Sequence, residues 1–393
     1  MRVLMISDPQ SVHTVNWVDG LRAQGVHVDV LYENASRKPN DEIKTLLKCE
    51  LIQAPSGKRL AIQSLKRFQL RPVFKDLITR NTLHQRLNLL GPIVRERAEN
   101  GEYDLIHAHG LAAAALLAHK SGFRPYTISI WGSDILITPS SRPYMMPLMK
   151  DALEDSSFIH VQGNLGSSVA IEMCPECRDK VVVQTWGADV EAFSPGLDNN
   201  LLKNLNLDQE RVVLSFRGLY PLYRTDVILR AFRQLCSGID DVILVIGSDG
   251  PERANLEKLA SELRIENSVR FIGHVDRDVM RQLFSNAHLY VQFPESDGVP
   301  ITAMEAMASG LPLISSDVGD ISTLVRNGEN GLLVADESAD ALAAAMKRIL
   351  DDETLRIRMS EKSRELAINH HDRTKFFRAM AQLMWDASKN TES

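Results

Sequence analysis

Along this chain, short apolar runs alternate with polar turns and with segments of helical spacing. In the first half the runs Val3 to Ile6, His27 to Tyr32, Asp104 to His107, Tyr126 to Ile130, Phe158 to Val161 and Val181 to Thr185 predict strands. Trp17 to Gln24, closed by Gly25, predicts a helix between the first two. A second series begins at Val212 to Phe216 and continues through Val242 to Ile246, Val269 to Ile272, Leu289 to Phe293 and Leu313 to Ser315. Runs that are apolar throughout suit strands covered on both faces, so the pattern is that of parallel sheets wrapped by helices, an α/β fold. Ligands of such sheets bind outside the carboxyl ends of the strands. Between the two series, Phe193-Ser-Pro-Gly-Leu-Asp-Asn-Asn is a cluster of turn formers that reads as a linker. The expected division is therefore 1–195, 210–371 and a tail, 372–393, in which Phe376, Phe377, Met380, Leu383 and Met384 line one side of an amphipathic helix.

A length of 393 residues exceeds what one ordinary core accommodates and agrees with two domains. A net charge of −6 gives no basis for nucleic-acid binding. Charge is nevertheless uneven, since residues 37–97 hold 14 Lys and Arg against 5 Asp and Glu. Inside that stretch, residues 57–71 combine Leu60, Leu65 and Phe68 with five cations, a composition suited to an anionic membrane surface. The longest apolar run, Leu111 to Ala118, is far short of the ~20 residues that span a bilayer. The opening MRVLMISDPQ lacks the longer apolar core of a secretory signal, so a cytoplasmic location is expected, peripheral on the inner face of the membrane where residues 57–71 engage it. Four cysteines are too few and too scattered for a disulfide framework. Cys174 and Cys177 have metal-ligand spacing, but two further ligands at compatible spacing are not evident, so reduced thiols and no metal are expected.

The densest chemistry lies in Phe293 to Pro312, FPESDGVPITAMEAMASGLP. Ser296, Asp297, Gly298 and Pro300 are loop formers, whereas Ile301 to Ala308 is a run of helix formers closed by Gly310 and Pro312. Asp297 thus precedes a helix that contains Glu305, and the free N–H groups of its first turn point into the gap between the two acids. That layout offers a phosphate site flanked by two hydroxyl acceptors, as a sugar nucleotide requires. The stretch resembles the donor-site signature of the retaining glycosyltransferases of family 4, which have the GT-B fold. That signature reads Glu, seven residues, Glu; here Glu305-Ala306-Met307-Ala308 matches and Asp297 replaces the first glutamate.

The resemblance covers nearly the whole chain, is strongest between Arg211 and Val334, and implies a GT-B fold: two Rossmann-like domains facing across a cleft, with a last helix crossing back to the first. It implies that Asp297, Arg217 and Arg224 are catalytic, the acid meeting donor-sugar hydroxyls and the arginines holding the diphosphate. It departs from the family pattern in that Arg217-Gly218 is transposed and Tyr223-Arg224 stands where Lys-Gly is usual. Glu305 is implied to bind ribose hydroxyls, and Gly298, Val299, Ile301 and Thr302 to bring N–H groups to the phosphates. Gly247 and Asp249 resemble the turn beside the nucleotide, and Gly273-His274 the segment whose backbone faces the base. On the acceptor side the implied residues are His13, His109, Trp131 and Asp134, with Trp131 in place of a frequent histidine.

These resemblances imply a hexosyltransferase using a nucleoside diphosphate sugar, UDP in preference to GDP, on a saccharide or lipid-linked acceptor in polysaccharide or glycolipid assembly. Front-side attack with retention needs no metal, because arginines and a helix end can supply the charge clamp. No organic cofactor is expected either, since GxGxxG is missing after the first strand. A sugar-nucleotide epimerase of the same architecture and a sugar-nucleotide-binding protein without turnover are the alternatives.

Overall fold

Strand residues Val212, Leu214, Ile243 and Val245 point into one apolar core and the alternating Val213, Leu244 and Ile246 into another. Both faces of that sheet are covered, which is why its strands carry no polar alternation. The computed structural model describes residues 1–32, 51–53, 72–136, 138–198, 211–239 and 241–389; the basic stretch 57–71 lies outside the described residues. The chain forms two compact units, Met1–Gln184 with Lys375–Ser393, and Thr185–Thr374.

The first unit contains strands β1 (Arg2–Ile6), β2 (His27–Tyr32), β3 (Leu51–Gln53), β4 (Leu105–His109), β5 (Tyr126–Ser129), β6 (Ile159–Val161) and β7 (Val181–Val183). They pair in parallel in the order β3-β2-β1-β4-β5-β6-β7. The second unit contains β8 (Arg211–Ser215), β9 (Val242–Gly247), β10 (Val269–Gly273), β11 (Leu289–Val291), β12 (Leu313–Ser316) and β13 (Gly331–Val334), ordered β10-β9-β8-β11-β12-β13. Each is the doubly wound Rossmann order, in which the chain reverses direction across the sheet between its first and fourth strands. These switch points, β1/β4 and β8/β11, leave a crevice at the carboxyl ends where adjoining loops diverge.

Four features differ from the sequence expectation: one helix start, two strands and the state of two cysteines. The helix expected at Trp17 starts at Val12, because Ser11 caps it by accepting from His13 N–H. Strands β3 and β13 were not expected; each is short and sits at a sheet edge. Cys174 and Cys177 form a disulfide rather than reduced thiols. The helix Asn164–Met173 ends at Cys174 and the chain turns into a 3-10 segment, which brings the two Cα atoms to 5.4 Å, within the span a disulfide bridges.

The final helix, Arg373–Lys389, buries Phe376, Phe377, Met380 and Met384 in the first unit. Phe377 fills the place a side chain at Gly20 would occupy, and both phenylalanine rings pack edge-on against Trp17. No helix of the described residues is long and apolar enough to cross a membrane.

Candidate functional site

At the second unit's switch point β8 runs out into Phe216-Arg217 and β11 into Gln292 to Asp297. Arg217 Nη2 lies 2.6 Å from Asp297 Oδ2. The contact is an ion pair, and Arg217 Nε is left without a hydrogen-bond partner. Asp297 Oδ1 accepts from Gly298 N–H at 3.0 Å, so that N–H, expected to face phosphate, is held by the acid. Burial pushes the Asp297 carboxyl up, and Arg217 opposes the shift. Arg217 also lies 4.3 Å over the Tyr223 ring. A third loop closes in from β12: a Cβ at Gly319, whose φ is +56°, would stand 1.9 Å from the Asp297 carbonyl oxygen.

The helix Ile301–Ala308 follows, and no side chain caps its first turn. Val299 is buried in the core, while Ile301 and Thr302 remain partly accessible. The Tyr290 hydroxyl, raised to about 12 chiefly by burial, keeps its proton and lies 3.1 Å from Thr302 Oγ1 and 3.4 Å from the Phe216 carbonyl. It ties β8, β11 and the helix together. Glu305, one turn in, is 2% exposed, and burial raises its carboxyl to about 7. Its partner is Arg277, with Nη2 3.0 Å from Oε1. Arg277 was not singled out from the sequence, where it looks like any cation opening a surface helix.

Arg224 does reach the same region, lying 5.3 Å over the Phe293 ring, but its guanidinium is engaged by Glu337 at 2.7 Å. The Gly247 turn adjoins β10 through Ser248 N–H donating to the Gly273 carbonyl. Gly247 makes room for the Phe216 ring, 2.2 Å from where its Cβ would be. Asp249 is engaged by Gly250 N–H at 2.8 Å and Arg253 at 3.2 Å, and His274 is exposed.

In the first unit the face opposite the apolar core carries His107, His109, Thr127, Ser129 and His160 around Trp17. Hydrogen bonds fix their tautomers. The Gln184 carbonyl can only accept, so His160 Nε2, 2.7 Å away, donates. His160 Nδ1 then accepts from Ser129, Ser129 accepts from His107 Nε2, and His107 Nδ1 accepts from Thr127. A second chain ends on the Asp8 carbonyl: Thr14 donates to it, Ser7 donates to Thr14, and His109 Nδ1, 3.0 Å from Ser7, must donate to Ser7. Burial pushes all three imidazoles down, to about 3 for His107, about 4 for His160 and well below the ordinary value for His109, with neighbouring histidines adding to the shift in His107 and His109.

His13 and His109 flank Trp131 with ring centres 4.8 and 4.9 Å away, so these three expected acceptor-side residues do come together. Asp134 is different in kind: it accepts from the N–H groups of Leu111, Trp131 and Gly132 at 2.7, 3.0 and 3.0 Å, fixing the loop from within. Among the described residues no group of three or more His, Cys, Asp or Glu is placed to hold a metal ion.

Comparison with known proteins agrees with this geometry. The family model described as Glycosyl transferases group 1 matches residues 198–366, and that described as Glycosyl transferase 4-like matches 2–85 and 94–163. The D-inositol 3-phosphate glycosyltransferase of Corynebacterium glutamicum (strain R) is 34% identical over 201 residues, covering 48% of each chain. The N-acetyl-alpha-D-glucosaminyl L-malate synthase of Bacillus anthracis is 24% identical over 276 residues, covering 69% of this chain and 71% of that protein. This chain spans about half the length of two of the corynebacterial relatives it matches, 48% and 52%. Among solved structures, Anabaena Alr3699/HepE in complex with UDP shares the fold with a TM-score of 0.77 at 18% identity, covering 98% of this chain and 100% of that one. Matched in both of its units, this chain belongs to the group 1, family 4-like glycosyl transferases.

Proposed function

We propose that the protein is a retaining hexosyltransferase, moving a hexose from a nucleoside diphosphate sugar, UDP before GDP, to a saccharide or lipid-linked acceptor in polysaccharide or glycolipid assembly. The observation that carries this reading is the acidic pair: Asp297 and Glu305 bracket an uncapped helix turn, each held by an arginine. Family membership supports glycosyl transfer, and the UDP-glucose complex of the HepE neighbour supports the donor class.

In this reading Glu305 accepts the ribose hydroxyls, Asp297 the hexose hydroxyls, and the N–H groups of the first helical turn face the diphosphate. Arg217, already within reach of Asp297, supplies charge-assisted donors to the leaving diphosphate, with Arg224 behind it once drawn from Glu337. The acceptor hydroxyl attacks the anomeric carbon from the face the phosphate leaves. The carbon–phosphate-oxygen bond breaks, the glycosidic bond forms, and the hydroxyl proton passes to the departing phosphate. Neither a metal nor an organic cofactor is required. His13, His109 and Trp131 would meet the acceptor, and residues 57–71 would bring the enzyme to an anionic membrane, which binding to anionic vesicles at low salt tests.

Thermal shifts with a panel of nucleoside diphosphates and their sugars test the donor. Stabilisation by UDP and a UDP-hexose, lost in Glu305→Ala, is expected; no response to any nucleotide overturns the reading. Product analysis separates transfer from epimerisation, because an epimerase converts the nucleotide sugar without an acceptor. Retention is read from the anomeric configuration of the first product by NMR.

A further inference from the structure

Both acids of the candidate site are held by arginines, but only Arg217 belongs to the loop expected to bind phosphate. Arg277 opens the helix Arg277–Asn286, whose first turn is fixed by Asp276 accepting from Val279 N–H at 2.9 Å. From there its guanidinium lies 5.1 Å from the centre of the Phe193 ring and its Nη2 3.0 Å from Glu305 Oε1. The Arg277 side chain is 55% exposed and that of Glu305 3%. A half-solvated cation, resting on an aromatic shelf, therefore caps a buried carboxylate.

We propose that Arg277 is a positioning residue for the nucleotide: by sharing one oxygen of Glu305 it keeps that carboxyl ionised, leaving Oε2 and the rest of Oε1 to accept the 2′ and 3′ hydroxyls of a ribonucleoside diphosphate. The inference rests on the donor reading given above. An ionised carboxylate accepts at about four lone-pair sites and donates nothing, so one guanidinium contact leaves room for two hydroxyls. A protonated carboxyl turns one of those acceptors into a donor and opposes the diol.

Among the described residues the other charges acting on Glu305 are Arg373 and Asp189. Arg373 at the start of the last helix holds the carboxyl down, Asp189 pushes it up, and Tyr290 beside it is neutral. Arg364 serves the far end of the helix, donating to the Ala308 carbonyl. Burial is the largest influence and raises the carboxyl; Arg277 is the first to oppose it. Removing Arg277 therefore moves the titration of Glu305 to higher pH. Since the ionised form binds ribose, affinity strengthens as pH rises through that titration, and the variant needs a higher pH to reach it.

The experiment measures UDP and 2′-deoxy-UDP affinity by calorimetry from pH 5.5 to 9 for the wild type, Arg277→Gln and Arg277→Lys. In parallel, the Glu305 carboxyl is titrated by 13C NMR in the nucleotide-free proteins, assigned by its loss in Glu305→Gln. The expected result for Arg277→Gln is a titration moved up by about one pH unit, with UDP binding about tenfold weaker below it and recovering above it. Arg277→Lys restores most of the wild-type profile, and 2′-deoxy-UDP responds less than UDP. An unmoved Glu305 titration overturns the proposal. So does an equal loss of UDP affinity at every pH, which marks a direct contact with the nucleotide. If the wild type ignores UDP, the donor reading fails, and the carboxyl titration still decides whether Arg277 controls Glu305.

Discussion

Arg217 and Asp297 meet across the switch point of the second sheet, the arginine leaving β8 and the aspartate following β11, with 2.6 Å between Nη2 and Oδ2. The pair joins the two strands between which the chain reverses direction, where the fold opens a crevice at the strand ends. In the first unit Ser7 and His109 do the same, one after β1 and one at the end of β4, 3.0 Å apart.

Arg217→Ala removes a charge-assisted donor from the place where the leaving diphosphate gains charge. A fall in kcat of about 10²- to 10³-fold is expected, as for loss of a preorganised transition-state donor. Steady-state kinetics with the donor identified by thermal shift checks this; a change in KM alone would mean that Arg217 only binds.

Gly319→Ala tests the packing beneath Asp297. The added Cβ meets the Asp297 carbonyl oxygen at 1.9 Å and the φ of +56° disfavours any side chain. The substitution is expected to cost about 1–2 kcal/mol from backbone conformation alone, with more from the displaced loop. Denaturant melting should show the loss, and UDP-hexose turnover should fall with it; an unaltered melt would contradict the close approach.

The buried histidines make the protein acid-sensitive. Their folded values, about 3 for His107 and about 4 for His160, lie below the unfolded value, so the unfolded chain binds more protons as pH falls. Their contribution is complete above about pH 6.5 and is lost progressively below it, by about 1.4 kcal/mol per pH unit for each histidine until its folded value is reached. Urea unfolding from pH 7.5 to 4.5 measures the slope, and His160→Asn should flatten it.

The two relay chains require opposite tautomers. His107 and His160 carry the proton on Nε2, whereas His109 carries it on Nδ1. Imidazole 15N shifts at neutral pH should show this division, and Ser7→Ala should release His109 to the other tautomer without altering His160. Finding His109 protonated at Nε2 in the unaltered protein would refute the Ser7–Thr14 chain.

The α/β class was legible because both halves repeat apolar-rich runs too short for helices, separated by turn formers and helical spacing, and in the second half nearly free of polar alternation. The motif from Asp297 to Pro312 located the acids because its loop and helix formers sit next to one another. Strands β3 and β13 were not legible because Leu51-Ile52-Gln53 holds only two apolar residues and Gly331–Val334 opens on a turn former, unlike the equally short edge strand β7, which is a run of three valines. The Cys174–Cys177 bond was not legible because spacing alone does not show that the helix stops at Cys174 and a 3-10 turn folds Cys177 back towards it.

What the chain determined by itself is local: most of the strands, the helix that follows Asp297, and which turns carry acids or arginines. Pairing was decided only by the tertiary structure. Arg277 with Glu305, Arg224 with Glu337, and Ser7 with His109 are brought together from 28, 113 and 102 positions apart by strand order and helix packing. The physical reason is that hydrophobic burial fixes which faces meet but is indifferent to which polar side chains end up at their rims. The charge of a buried carboxylate and the tautomer of a buried imidazole depend on those neighbours.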